Sequence, residues 1–288
     1  MKRTLSAVLA GGDMRQIYLG RLLREDGFRI DTVALERHGE ELESQGMEAF
    51  RTADVIILPM PVMGERGRLN APLANAPYKM TEVLDAIPAG KTVFGGAVPK
   101  AVHEMAQRRG ITVTDYLERG ELAVLNAIPT AEGAIQIAME ELPVTLHGTK
   151  TLVIGNGRIG KALSHRLHAL GAEVTVSARR YDDFARIRDS GMKWADTRAL
   201  APVVGEFALI FNTVPHPVVT RAVLAKCRPD VVLIDLASRP GGTDFAAAGE
   251  LGRRAIHALS LPGKVAPVTA ASYIRDTITH ILQEEGKL

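Results

Sequence analysis

The sequence is poor in cysteine. Cys227 is the only one among 288 residues, so an internal disulfide is excluded and a cysteine cluster cannot hold a structural zinc ion. No apolar run approaches the roughly 20 residues that span a bilayer. The apolar run near the start is too short for a signal peptide, because Asp13 and Arg15 follow it. We therefore expect a soluble protein of the reducing cytoplasm.

The sequence also has little excess charge of either sign. It contains 35 lysine and arginine residues against 33 acidic residues, which gives a net charge of +2. A chain this close to neutrality lacks the broad positive field that attracts nucleic acids or anionic membranes. Neither partner is expected, and an acidic ligand would be bound by a few local cations.

Two successive series of short apolar runs, separated by helical patterns, organise the chain. The first contains LSAVLA, VIILPM and TVFGGAV, and the second contains TLVIG, EVTVS, FALIFNTV and VVLIDL. Strands that alternate with helices form parallel sheets covered on both faces. The pattern predicts two doubly wound α/β domains, residues 1–128 and 148–266, because the chain is long enough for two cores.

The segment LNAIPTAEGAIQIAMEEL lies between the two series. Its apolar residues recur at helical spacing, Pro129 suits a helix start and Pro143 a helix end. We predict a helix over residues 129–147, which is either an interdomain connector lining a cleft or a plain amphipathic helix. Residues 267–288 are expected to form a second long helix that packs back on the N-terminal domain.

A dinucleotide-binding pattern opens the second series. Gly155, Gly157 and Gly160 follow an apolar strand in G-x-G-x-x-G spacing and begin an amphipathic helix. The glycines allow a tight turn, close approach of a pyrophosphate and close packing of helix on strand. The cofactor residues predicted in this turn also include Asn156, Arg158 and Ile159. A purely structural tight turn is the alternative.

The next strand ends in VTVSARR, where an acidic residue would favour NAD by binding the free ribose hydroxyls. Arginines instead accommodate a 2'-phosphate through charge-assisted hydrogen bonds. Ser177, Arg179 and Arg180 therefore favour NADP, with NAD as the alternative. In the other interpretation the arginines are merely exposed and pair with Asp182 and Asp183.

Two later loops follow buried strands and should lie at the carboxyl edge of the same sheet, where open α/β sheets bind ligands. We expect both loops to border the nicotinamide; taken singly, Asn212 could be a turn residue and Asp235 a cap. The predicted residues are Asn212, Thr213, Val214 and Pro215 in the first loop, and Asp235, Leu236, Ala237 and Ser238 in the second.

Six segments together resemble the family of dipicolinate synthase A subunits: GGDMRQ, NAIPTAEGAIQIA, VIGNGRIGKALSHRLHALGAEVTVSARR, NTVP, IDLASRPGGTDF and LPGKVAPVTAASYI. The resemblance implies a flavodoxin-like N-terminal domain, as in 2-hydroxy acid dehydrogenases, and an NADP-binding Rossmann domain. It also implies oxidation of dihydrodipicolinate, or a closely related cyclic precursor, to pyridine-2,6-dicarboxylate in the mother cell of a sporulating bacterium. The partner that it implies is a flavoprotein-like B subunit. Val268 stands where many members carry lysine, which puts a role for that position in doubt.

Such an oxidation requires a dianion to be positioned beside a nicotinamide, so cationic residues matter most. Arg15, beside Asp13 in the first strand-to-helix turn, is a candidate carboxylate clamp. Arg239 and Lys264 are candidates in the second domain. Each of these cations could equally be an exposed surface residue.

Other polar residues complete the predicted catalytic set. Thr130 and Glu132 are expected to begin the connector helix, whose free backbone N–H groups would attract an anion. Glu132 could instead only stabilise that helix start. His216 is a candidate acid or base. His165 and His168 lack a carboxylate companion, so no metal site is predicted.

Two rival functions remain open at this point. One is a dehydrogenase of open-chain 2-hydroxy acids, although an Arg, Glu and His triad for that chemistry is not identified in the sequence. The other is a non-catalytic protein that senses NADP or binds a partner. For any enzyme of this architecture, a homo-oligomer is expected.

Overall fold

A computed structural model describes residues 4–38 and 45–288. The strands are Ser6–Ala10 (β1), Arg29–Val33 (β2), Val55–Ile57 (β3), Thr92–Gly95 (β4), Thr112–Asp115 (β5), Lys150–Ile154 (β6), Glu173–Ala178 (β7), Lys193–Asp196 (β8), Leu209–Asn212 (β9), Val232–Asp235 (β10) and Arg254–His257 (β11). The α-helices are Met14–Glu25 (α1), Ala49–Thr52 (α2), Met80–Ala86 (α3), Lys100–Gln107 (α4), Gly120–Leu125 (α5), Ala127–Glu141 (α6), Arg158–Ala169 (α7), Tyr181–Asp189 (α8), Arg221–Leu224 (α9), Phe245–Glu250 (α10), Leu261–Val265 (α11) and Pro267–Glu284 (α12).

The chain divides into two compact units, and the first comprises residues 1–125 and 266–288. Its five strands are parallel and lie in the order β2-β1-β3-β4-β5, the flavodoxin-like order. Helix α12 belongs to this unit because its apolar face, including Ile274 and Ile278, joins the core that contains Ile17 and Leu23 of α1. A C-terminal segment therefore completes the core of the N-terminal sheet.

The second unit comprises residues 126–265 and contains a six-stranded parallel sheet. Its order, β11-β10-β9-β6-β7-β8, is that of a dinucleotide-binding Rossmann fold. The strand order reverses between β6 and β9, and ligands bind in the crevice at such a switch point. The predicted fold class, two doubly wound parallel-sheet domains, is confirmed.

The helix between the two series differs from the prediction at both ends. It begins at Ala127, because α5 ends only at Leu125, so Pro129 lies inside the first turn instead of opening it. It ends at Glu141, since Pro143 cannot continue a helix, and the residues up to 147 are not helical. The helix packs against α7 and α11 within the second unit.

One helical stretch, Gly120–Glu141, is long and apolar enough by composition to cross a membrane. Half of its apolar window is buried inside the protein, as expected for a helix of a packed core. Length and hydropathy alone are therefore weak support for a membrane span here.

Candidate functional site

The glycine-rich turn between β6 and α7 has the geometry that a dinucleotide needs. Gly155 has φ +102°, a conformation that residues with a side chain rarely adopt. A Cβ on Gly160 would collide with the carbonyl oxygen of Gly155, so this glycine allows the helix to lie close to the strand end. Gly157 is different: its φ is −78° and a Cβ there would meet nothing within 4 Å. The protein itself does not require a glycine at position 157, whereas a closely approaching ligand would.

The N-terminus of α7 is open to an anion. No side chain caps it, and its first turn contains no acidic residue. Its first backbone N–H groups therefore have no partner inside the helix, and the helix dipole adds positive potential at this end. Asn156 donates its side-chain amide to Asp183 at 3.2 Å, which orients the turn from the side of α8. Arg158 is exposed and Ile159 is partly buried against the core of the unit.

The end of β7 shows what surrounds Ser177, the first of the residues predicted to favour NADP. The last residue of the strand is Ala178, and the preceding Ser177 points to the other side, as successive side chains of a strand do. Ser177 is fully buried, and its hydroxyl lies 2.9 Å from that of Thr197. Ala178, which is 5% exposed, packs in the apolar core on the opposite face of the sheet, so the contact of Ser177 with a ribose stays a prediction.

The two arginines after β7 differ in what they contact. Arg180 precedes the first residue of α8, without a capping hydrogen bond from its side chain, and forms an ion pair with Asp182 of the first turn. The hydrogen bond from Arg180 lowers the pKa of Asp182 to about 2, so the pair stays ionised at neutral pH. Arg179 is exposed and forms no ion pair with residues 4–38 or 45–288. Only Arg179 therefore presents a charge that is not already balanced nearby.

A buried carboxylate joins the two loops predicted to border the nicotinamide. Asp235, at the end of β10, is fully buried and accepts hydrogen bonds from the Asn212 side-chain amide at 3.0 Å, the Ala237 N–H at 2.9 Å and the Gly242 N–H at 3.0 Å. Asn212 also exchanges hydrogen bonds with the backbone of Val214. The buried side chains of Asp235 and Asn212 therefore hold the loop backbone in place through hydrogen bonds. A ligand can reach that backbone more readily than the two side chains.

The same two loops lie directly against each other. Val218 and Val219 donate their backbone N–H groups to the Gly242 carbonyl at 3.0 and 2.9 Å. A Cβ on Gly242 would collide with the carbonyl oxygens of Val214 and His216, so the glycine permits this contact. The His216 side chain is exposed at the outer surface of the loop.

The remaining loop residues divide by exposure. Thr213 donates its hydroxyl to the Ile154 carbonyl at 2.9 Å and so lies beside the glycine turn. Leu236 and Ala237 are buried, whereas Pro215 and Ser238 are exposed. Of these four side chains, a ligand can therefore reach those of Pro215 and Ser238 more readily than those of Leu236 and Ala237.

His257 is a site residue that the sequence analysis missed. It ends β11 and lies beside Asp235 in the strand register. Its ring stacks on Phe245 at 5.1 Å, and Nε2 lies 2.9 Å from the Ala237 carbonyl. Because a carbonyl only accepts, Nε2 carries the hydrogen. The only signal for it in the sequence is a polar residue at the carboxyl end of the strand-like segment RAIH.

Arg15 is placed differently from the expected carboxylate clamp. It is 6% exposed and donates Nε and Nη2 to Asp13 at 2.9 and 2.8 Å, with a further bond from Nη2 to the Met60 carbonyl at 2.5 Å. Asp13 in turn caps α1 by accepting the Arg15 N–H. Both side chains are thus engaged in holding the β1–α1 turn, which leaves Arg15 poorly placed to clamp a substrate carboxylate.

Thr130 and Glu132 do not begin a helix, contrary to expectation, because α6 starts at Ala127. The Thr130 hydroxyl donates to the Asn126 carbonyl at 2.7 Å, inside the helix. Glu132 pairs with Arg166 at 3.6 Å and lines a cavity of about 670 Å3. Arg166 is eight residues beyond Arg158, about 12 Å along α7. This cavity is therefore separate from the phosphate-binding end of the helix.

Two candidate cations of the second unit remain available. Arg239 and Lys264 are exposed, and neither forms an ion pair within the described part of the chain. Within residues 4–38 and 45–288, no group of three or more His, Cys, Asp or Glu side chains is placed to hold a metal ion.

Comparisons with known proteins agree with this division of the chain. The family model of the N-terminal domain of the dipicolinate synthase A subunit matches residues 6–117, and a putative NAD(P)-binding model matches residues 142–248. The A subunit of dipicolinate synthase from Bacillus subtilis is 32% identical over 98% of this chain and 99% of its own length.

Solved structures give the same result. The crystal structure of the dipicolinate synthase A subunit from Bacillus halodurans superposes with a TM-score of 0.90 at 32% identity, covering 96% of this chain and 97% of that one. The D-lactate dehydrogenase of Escherichia coli has a TM-score of 0.63 at 14% identity, covering 99% and 98% of the two chains, a likeness of fold alone.

The glycine turn generates a prediction that separates folding from binding. Gly157→Ala should leave the free energy of unfolding within about 0.5 kcal/mol of the parent, since the added methyl group enters open space. It should nevertheless weaken dinucleotide binding at least about tenfold, because the methyl group occupies the path of the pyrophosphate. Gly160→Ala is the matched control and should cost about 1–3 kcal/mol of stability through its backbone collision. Urea unfolding and fluorescence titration measure the two effects; unimpaired binding by Gly157→Ala would contradict a pyrophosphate at this turn.

Proposed function

The chain belongs to the family of dipicolinate synthase A subunits, and we propose that it oxidises dihydrodipicolinate, or a closely related cyclic precursor, to pyridine-2,6-dicarboxylate with NADP. The match over nearly the whole length of both chains carries this proposal. The chain is an oxidoreductase with a nicotinamide-dinucleotide cofactor. The substrate, the choice of NADP over NAD, a B-subunit partner, a homo-oligomeric state and a cytoplasmic location in a sporulating cell are parts of the proposal.

The proposed reaction removes a hydride and a proton from the dihydropyridine ring. A nicotinamide held by the glycine turn and the loops after β9 and β10 would supply the hydride acceptor, and the proton would leave to solvent or to a base. Formation of an aromatic product supplies driving force, so the demand on the protein is positioning and charge complementarity more than strong base catalysis. His216, which is exposed in its loop, is the residue to test as an acid or base.

The two carboxylates of the substrate need cationic contacts. Arg239 and Lys264 are proposed for this role because their charges are not balanced by other described residues. Arg239 lies between Ala237 and Gly242, whose backbone N–H groups are both bonded to Asp235, so its backbone is held on either side. The Ala237–His257 hydrogen bond constrains the same loop from the side of β11.

Hydride transfer is the decisive measurement. The purified chain mixed with a dipicolinate synthase B subunit, dihydrodipicolinate and NADP should generate the absorbance of reduced nicotinamide together with that of pyridine-2,6-dicarboxylate. Each partner alone is the control, and a 2-hydroxy acid replaces the substrate in a parallel reaction. Turnover of the 2-hydroxy acid alone would favour the dehydrogenase alternative. Cofactor binding without turnover, under conditions in which a verified family member is active, would favour a sensor.

Removal of either proposed carboxylate contact should raise KM for the substrate. Charge-assisted hydrogen bonds contribute about 1.5–3 kcal/mol each, so Arg239→Ala and Lys264→Ala should each raise KM about tenfold or more. Lys226→Ala, which removes another exposed cation of the same unit, is the matched control and should leave KM unchanged. Steady-state kinetics at fixed ionic strength measure the effect, and an equal KM in all three variants would remove both residues from the site.

The cofactor preference can be tested at the end of β7. Ala178→Asp puts a carboxylate on the last residue of β7, the strand end at which an acidic residue of a dinucleotide-binding fold accepts hydrogen bonds from free ribose hydroxyls and would repel a 2'-phosphate. The ratio of the dissociation constants of NAD and NADP should fall about tenfold or more. Ala178→Asn is the uncharged control and should change this ratio less. A chain that binds NAD and NADP equally before any substitution would contradict the proposed choice of NADP.

A further inference from the structure

A second cavity of the Rossmann unit lies at the carboxyl ends of β7 and β8. Its volume is about 420 Å3, within the roughly 300–1,000 Å3 range of small-molecule sites. The lining residues used below are Arg179, Thr197, Arg198, Leu200, Pro217 and Val218. They come from the segments that follow β7, β8 and β9, so three strand ends contribute to one cavity.

The sheet order places this cavity beside the glycine turn. β6 lies between β7 and β9, and the turn after β6 is therefore flanked by the segments that form the cavity. A dinucleotide whose pyrophosphate lies on α7 directs its adenosine ribose towards the end of the next strand, which here is β7. Thr197 is fixed there by the hydrogen bond from its backbone N–H to the Ala178 carbonyl at 2.8 Å.

The cavity has one polar and one apolar side. Leu200, Pro217 and Val218 supply a surface on which a flat aromatic ring can pack. Arg179 and Arg198 supply two guanidinium groups, and the hydroxyl of Thr197, paired with that of Ser177, adds a further hydrogen-bonding group. A ligand that combines an aromatic base with a phosphate fits both sides.

The two arginines of the cavity are not equally engaged. Arg198 donates Nε and Nη2 to Asp196, at 2.9 and 2.7 Å for the shortest contact of each nitrogen. Its Nη1 takes no part in these bonds. The side chain is 61% exposed, so it can turn towards a phosphate at modest cost, because exposed ion pairs contribute little. Arg180, which is adjacent in sequence to Arg179, lines no part of this cavity.

We propose that Arg198 joins Arg179 in holding the adenosine 2'-phosphate of NADP in this cavity. Arg198 is thus a residue that determines cofactor specificity, and the sequence-adjacent pair Arg179 and Arg180 does not act as a unit. Adenine packs against the apolar side formed by Leu200, Pro217 and Val218. This inference rests on the proposed use of NADP and names the residues that would read it.

Single alanine variants of the three arginines test the assignment in the full-length chain. Dissociation constants for NADP, NAD and adenosine 2',5'-bisphosphate are measured by titration calorimetry at one fixed salt concentration, because screening would understate a phosphate contact. Arg198→Ala and Arg179→Ala should each weaken NADP and the bisphosphate about tenfold or more, with little change for NAD. Arg180→Ala is the matched control and should leave all three constants within about twofold, since it removes an equal charge outside the cavity.

Asp196→Asn gives an independent second arm. Loss of its charge releases Arg198 and removes an anion near the phosphate, so NADP should bind more tightly relative to NAD. This variant strengthens the interaction, so its expected effect cannot be mimicked by misfolding.

The outcomes distinguish this inference from the proposed function. An unchanged NADP constant in Arg198→Ala, or an equal loss of NADP and NAD, would overturn the role of Arg198. An effect of Arg180→Ala as large as that of Arg198→Ala would contradict the inference, because it would mean that Arg179 and Arg180 bind the phosphate together. If the parent chain shows no preference for NADP over NAD, the proposed cofactor fails before the cavity is tested.

Discussion

A buried carboxylate that pairs with no cation among the described residues fixes the ligand-binding edge of the Rossmann sheet by its hydrogen bonds. Asp235 is fully buried and is bonded by N–H groups of Asn212, Ala237 and Gly242. Removing a carboxylate from water is costly unless hydrogen bonds replace the lost solvation, so these donors and the carboxylate fix one another. The ends of β9 and β10 and the loop up to residue 242 consequently form one hydrogen-bonded assembly. The backbone of this assembly, rather than the two buried side chains, is what the edge presents to a ligand.

Much of this unit could be predicted from the sequence because the constraints act locally. The strand before Gly155, the helix after Gly160 and the next strand are each specified by apolar periodicity and glycine spacing within 30 residues. The packing of the C-terminal helix against α1, although expected, depends on contacts between distant segments that no local pattern specifies. Apolar periodicity and glycine spacing therefore both indicate the fold of this unit and its class of cofactor.

Side-chain roles were harder to predict because they depend on which partner a charge meets first. Arg15 and Arg180 look available in the sequence, but each lies two residues from a carboxylate at a helix start and pairs with it. The sequence does not indicate a role for Arg198, because it lies 19 residues from Arg179 and the pairing of β7 with β8 brings both into one cavity. The Ser177 hydroxyl is bonded to Thr197, a partner 20 residues away that no local sequence pattern reveals.

The same reasoning bears on how selectivity for a phosphate can arise in a nearly neutral protein. Arg179 has no balancing carboxylate among the described residues, whereas Arg198 is held by Asp196. In the proposed site a 2'-phosphate would compete with Asp196 for Arg198, so Arg198 would favour NADP only by the difference between those two interactions, whereas Arg179 would favour it without that competition. NAD, which lacks that phosphate, leaves the ion pair intact and loses nothing by it. Discrimination then depends on the balance of three nearby side chains, so it can be strong at the site while the net charge of the whole chain is only +2.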